Sequence, residues 1–110
     1  MKKIFGTIII TVALALNASA QTDTVKIKTS ALCDMCKERI EHDLSFEKGV
    51  KSSIMDIETK KVTVVYNPAK TDAEKIRAAI TKIGYDADSL KADEKAFSKL
   101  PECCQAPRHK

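Results

Sequence analysis

Four cysteines carry the chemistry available to this 110-residue chain, and they come as two close pairs. Cys33 and Cys36 form a Cys-x-x-Cys within SALCDMCKERI, and Cys103 and Cys104 are adjacent near the C-terminal end. A thiol pair spaced as Cys33 and Cys36 has three uses. It can bind a soft metal, exchange electrons as a dithiol and disulfide, or staple a small fold. Neither pair, closed on itself, would tie distant parts of the chain together. The arrangement therefore suits ligation or redox work better than stapling, unless the two pairs cross-link to each other.

The compartment bears on this choice. The chain opens MKKIFGTIIITVALALNASAQ, with Lys2 and Lys3 ahead of an apolar run and Ala18-Ser19-Ala20 behind it. This pattern predicts a secretory signal peptide over residues 1–20, cleaved before Gln21, rather than a membrane span. The first cysteine stands well past the apolar run, so lipidation is not expected. The mature protein would be periplasmic or secreted, where thiols tend to pair. It would have no stable membrane insertion.

Removing residues 1–20 leaves one small domain, and losing Lys2 and Lys3 lowers the formal net charge from +4 to +2. That weak balance, with acidic residues among the basic ones, argues against nucleic-acid binding. No phosphate-binding glycine loop and no hydrolytic or transferase constellation is present, so no enzymatic activity is expected.

The elements that must hold the cysteines can be read along the chain. Val25 to Thr29 alternates apolar and polar residues and predicts a half-buried strand. SALCDMC follows as a loop. From Cys36, the recurrence of Ile40 and Leu44 at four-residue spacing predicts a helix, with Gly49 as its stop signal. Val50–Ile57 and the run through Val62, Val64 and Tyr66 predict a hairpin turning at Glu58–Lys61, closed by Asn67-Pro68. Thr71 and Glu74 read as a capping box for a second helix bearing Ile76, Ala79, Ile80 and Ile83, ended by Gly84. Tyr85-Asp86-Ala87 can begin a fourth strand.

The order is βαββαβ. It predicts an α+β, ferredoxin-like sandwich, with one antiparallel sheet and two helices on one face. Residues 21–88 would form this domain. Residues 89–110 would add a C-terminal extension with a short helix over Ala92–Leu100, ended by Pro101, and then the Cys103-Cys104 pair.

In this frame Cys33 lies in the strand-to-helix loop and Cys36 in the first helical turn. Free amides and the helix dipole favour a thiolate there, and Lys37 and Arg39 add positive charge. Two thiolates with few carboxylates beside them suit soft d¹⁰ ions such as Cu(I), and two ligands leave coordination open for handing the ion on.

These features resemble the heavy-metal-associated domain family. The resemblance rests on the CxxC at the first strand–helix junction, Gly49-Val50, Val62-Thr63-Val64, Asn67-Pro68 and Gly84-Tyr85, and it covers roughly Thr24–Asp88. That family includes small copper chaperones, the periplasmic mercury-binding protein and N-terminal modules of metal-pumping ATPases. The resemblance implies that Cys33 and Cys36 are the metal-binding thiolates and that Tyr85 sits beside the site and shields the ion. It implies Cu(I) as the cargo, with Hg(II), Zn(II), Cd(II) and Ag(I) as alternatives. It also implies a membrane metal transporter or another metal-binding protein as partner. The alternative readings are a mercury- or zinc-binding sensor or accessory module of a metal transporter, and a periplasmic thiol–disulfide oxidoreductase. The mature chain is short for a thioredoxin-like fold, however, and lacks tryptophan.

The chain departs from the family in its loop, which usually reads Gly-Met-x-Cys-x-x-Cys. Ser30 and Ala31 replace the glycine and methionine, with Leu32 or Met35 expected to fill the vacated space. Ser53 stands at a position usually apolar in the second strand. Cys103 and Cys104 are expected to fold back over the loop and add one or two soft ligands. The alternative is a vicinal disulfide or an exposed pair on a mobile tail. His42, nearly two turns beyond Cys36, reads as a surface residue. His109 could ligate alongside Cys103 or Cys104.

Overall fold

The computed structural model describes residues 21–105. The proposed leader over residues 1–20, and His109, lie outside the described residues.

The elements run β1 (Asp23–Lys28), α1 (Asp34–Leu44), β2 (Val50–Asp56), β3 (Lys61–Tyr66), α2 (Ala73–Ile83) and α3 (Glu94–Ser98), followed by a 3₁₀ turn at Glu102–Cys104. β3 is the centre of an antiparallel sheet in the order β1-β3-β2. Its register pairs Ile27 and Met55 with Val62, and Val25 and Ser53 with Val64. Alternation along the strands turns these side chains to one face. Ile27, Met55, Val62, Val64 and Tyr66 are buried there with Ile40 and Leu44 of α1 and Ile76 and Ile80 of α2. Burying each such aliphatic side chain contributes roughly 1.5–3 kcal/mol. Ser53, half-buried opposite Val64, is tolerated at the periphery of this core.

This is the ferredoxin-like arrangement that the element order predicts, with three differences. The fourth strand is reduced to isolated bridges joining Ala87 to Thr29 and to Leu90. Asp88 adopts φ +54° and turns the chain away from the sheet, while its carboxylate accepts a 2.9 Å bond from the Lys28 amide. Its own amide donates to the Lys28 carbonyl at 2.8 Å, so β1 is met there by one backbone bond and a side-chain tether rather than by a continued ladder.

Second, Asp72 rather than Thr71 caps α2, accepting a 2.8 Å bond from the Lys75 amide. Thr71 is buried instead, and a Cβ at Gly49 would stand 2.8 Å from its Cγ2.

Third, α1 ends at Leu44 with Ser45 as its cap, ahead of Gly49. Gly49, at φ +84°, serves the entry into β2, where both its backbone angle and the Thr71 contact exclude a side chain.

The C-terminal segment packs onto the domain. Leu100 and Cys104 belong to the core cluster, and Phe97 packs against it. The Asp93 amide donates to the Thr81 carbonyl at 3.0 Å, and the Asp86 carboxylate accepts from the Ala92 amide at 2.8 Å. Gly84 terminates α2 at φ +120°, and a Cβ there would press on Leu100 and the Ala96 carbonyl at 3.1 Å. Among the described residues, no helix is long and apolar enough to cross a membrane.

Candidate metal centre

Cys33 is the N-cap residue of α1, in extended conformation, and its carbonyl accepts from the amides of Cys36 and Lys37 at 2.9 and 3.0 Å. This turn brings the two thiols together, with Cys33 Sγ 3.8 Å from Cys36 Sγ. Cys33 is part-exposed and Cys36 is buried. The pair therefore presents one accessible and one inner sulfur.

The loop before them is fixed by small hydroxyl residues. Thr29 Oγ1 accepts from the Ala31 amide at 3.1 Å, and Ser30 Oγ accepts from the Asp86 amide at 3.0 Å. The Ser30 contact ties the cysteine loop to the Tyr85 loop, so the serine has a structural use where the family carries glycine. Ala31 is itself fully buried, and Leu32 packs against the core. Met35 does not fill that space: it is 48% exposed.

The 3₁₀ turn brings the second cysteine pair to the first. The sulfur atoms of Cys33, Cys103 and Cys104 all lie within 4.8 Å of one another. Cys104 is buried and Cys103 exposed, and all four cysteines are free thiols. Gln105 secures this end of the chain, donating its side-chain amide to the Leu100 carbonyl at 3.0 Å and to the Phe97 carbonyl at 3.2 Å. The closeness of the two pairs was legible only as one of two options, because it depends on the packing of Leu100 rather than on cysteine spacing. Met35 was missed as a neighbour of the tail: its Sδ lies 3.8 Å from Cys103 Sγ. A methionine inside the CxxC was the only signal in the sequence.

Electrostatics separate the two inner thiols. Burial alone would raise Cys36, but the Cys104 side chain, the Leu32 backbone, the Tyr85 hydroxyl and the Cys33 backbone together lower it to about 7. Burial and the neighbouring Cys36 push Cys104 up to about 12. Cys36 is thus the thiol poised to ionise, with Cys104 as its proton-bearing neighbour. Lys37, expected to help, is committed elsewhere. Its ammonium is 2.7 Å from Glu41, whose carboxylate also accepts from the Met55 amide at 2.8 Å.

Tyr85 is fully buried, and its hydroxyl lacks a well-formed hydrogen bond. Burial first, then Cys36 and Cys104, raise its pKa, so the phenol stays protonated beside them. It lies inside the site rather than at the solvent rim. His42 stands apart, with a 3.1 Å contact to Asp43 and its ring edge-on to Phe46.

Such a set of sulfurs, with no carboxylate in the triad, can hold a thiophilic ion through two or three thiolates. Closely set sulfurs are also what dithiol exchange uses, so relatives bear on the choice.

The heavy-metal-associated domain profile matches residues 27–86, more than half of the chain. Copper-exporting P-type ATPases of Staphylococcus aureus are 36% identical over 91 residues, which is 82% of this chain and 11% of theirs. The chain thus spans about a tenth of the length of these curated relatives. Among solved structures, a CopZ metallochaperone is 27% identical with a TM-score of 0.57, covering 59% of this chain and 98% of that one. Oxidized MerP from Ralstonia metallidurans CH34 is 26% identical with a TM-score of 0.59, covering 62% and 96%. A copper form of a single-residue variant of CopA from Bacillus subtilis is 30% identical with a TM-score of 0.55, covering 63% and 92%. The chain belongs to the heavy-metal-associated domain family.

Proposed function

We propose that this protein is an exported carrier or scavenger of soft metal ions, with Cu(I) as its main cargo. Cys33 and Cys36 grip the ion as thiolates, and Cys103 and Cys104 adjoin it. The observation that carries this reading is the 3.8 Å separation of the two thiols at the start of α1. Two sulfurs on one ion, each about 2.3 Å from it, stand roughly 4.0–4.6 Å apart in trigonal or linear coordination. The pair therefore needs only a small adjustment to bind.

Likeness to a metallochaperone and to domains of copper-exporting ATPases supports copper and a membrane metal transporter as partner. Likeness to MerP keeps Hg(II) as an alternative cargo. The packed extension favours retention over rapid transfer, because Cys103 and Cys104 stand beside the part-exposed Cys33 and compete with an acceptor for the ion. The leader-like residues 1–20 support export, with residues 21–88 as the binding domain and 89–110 as its cap.

The test is anaerobic titration of the reduced protein with Cu(I) against a chromophoric chelator. Wild type binds Cu(I) stoichiometrically, and the Cys33→Ser/Cys36→Ser variant loses at least about a hundredfold in affinity, or roughly 2.7 kcal/mol. Equal affinity in the variant would place the site elsewhere.

A further inference from the structure

The sulfurs near α1 outnumber what one Cu(I) ion can use. Cys33 belongs to two sets at once, lying 3.8 Å from Cys36 and within 4.8 Å of both Cys103 and Cys104. On the outer side, Cys103 Sγ stands 3.8 Å from the thioether of Met35. The adjacent cysteines of the tail are split by the 3₁₀ turn: Cys104 faces inward at 1% exposure, while Cys103 is exposed. Met35 is a large apolar side chain left at the surface, and its sulfur is directed at a thiol.

We propose that the chain holds a second soft-metal position, formed by Cys103, Met35 and the shared Cys33. Two Cu(I) ions then sit side by side, bridged by the Cys33 thiolate. Cys36 and Cys104 complete the inner ion, and Cys103 and Met35 the outer one. This rests on the Cu(I)-binding reading of Cys33 and Cys36. The chemistry is ligation alone: each ligating thiol gives its proton to solvent, copper stays Cu(I), and no electron moves. A thioether suits the outer position because it is a soft donor that needs no deprotonation. The arrangement also gives the vicinal pair a purpose, since each of its two sulfurs serves a different ion.

The experiment is anaerobic loading of the reduced protein with Cu(I) alone, followed by native mass spectrometry and copper K-edge X-ray absorption. Wild type takes two ions per monomer and shows a Cu–Cu scattering path. The Met35→Leu/Cys103→Ser variant alters two exposed side chains and so leaves the core intact. It stops at one ion without the Cu–Cu path. One ion per wild-type monomer, two ions without a Cu–Cu path, a second ion seen only in a dimer, or two ions in the variant would each overturn the proposal. A wild-type protein that binds one ion through Cys33 and Cys36 leaves the single-site function standing. One that binds none removes both.

Discussion

The Cys33 thiol lies 4.0 Å from the carbonyl oxygen of Cys103, across 70 residues of chain. Contacts along the extension hold this approach. Asp86 receives the Ala92 amide, Thr81 receives the Asp93 amide, Leu100 covers Gly84, and Gln105 caps the carbonyls behind it. The tail thiols are therefore positioned by packing, and loosening that packing should release them.

Leu100→Ala tests this dependence. Leu100 is 6% exposed within the core, and truncation of such a side chain costs about 2–5 kcal/mol. A denaturant melt should show a loss in that range. Labelling of Cys104 by a thiol reagent should accelerate in the same variant. Gly84→Ala should act in the same direction, because φ +120° and the 3.1 Å approach of Leu100 both oppose a methyl group. Unchanged labelling in both variants would show that the tail is held by something other than Leu100.

Much of this fold was legible because its signals were periodic. The Cys36, Ile40, Leu44 spacing and the Val62, Val64, Tyr66 alternation give α1 and β3 directly, and each of these side chains is buried. What sequence could not resolve was competition between neighbours for one local task. Thr71 and Asp72 can both cap a helix, and the choice falls to Asp72 because Thr71 is needed against Gly49, a contact over 20 residues away in sequence. The fourth strand failed for a similar reason: Asp88 gives its amide to the Lys28 carbonyl but takes the Lys28 amide with its side chain, and its φ of +54° ends the ladder there. At the site, α1 brings Cys33 and Cys36 together by local geometry. The approach of Cys103 and Met35 depends on tertiary packing that no spacing rule encodes.

Tyr85→Phe addresses the buried phenol. The Tyr85 hydroxyl makes no well-formed hydrogen bond, which leaves much of its burial cost of about 1–3 kcal/mol uncompensated while Cys36 is protonated, so the metal-free variant should be as stable as wild type or more so at pH 6. Because the Tyr85 hydroxyl is among the groups that lower Cys36, the Cys36 thiolate should form at higher pH in the variant. Thiolate absorbance near the ultraviolet edge reads this directly. A less stable variant with an unmoved Cys36 titration would mean that the phenol serves packing alone.

The stability of the reduced, metal-free protein should depend on pH with a defined sign. Cys36 falls from an ordinary value of 9.0 to about 7 in the fold. Its contribution is thus complete above pH 9 and is lost as pH falls toward 7. Cys104 is shifted the opposite way, to about 12. Its contribution is complete below pH 9 and is lost as pH rises toward 12. The two together place a maximum near pH 9, which chemical denaturation from pH 6 to 11 would locate. In the Cys36→Ser variant the rise between pH 7 and 9 should vanish, while the decline above 9 weakens, since Cys36 is also what raises Cys104. A wild-type profile flat from pH 7 to 9 would refute the assignment of Cys36 as the readily ionised thiol.

The most direct test of the central claim is copper K-edge X-ray absorption on the reduced protein loaded with one equivalent of Cu(I). The account predicts a first shell of sulfur alone, two or three atoms, that collapses when Cys33 and Cys36 are both replaced by serine. A shell containing nitrogen or oxygen, or a sulfur shell unchanged in that double variant, would contradict it.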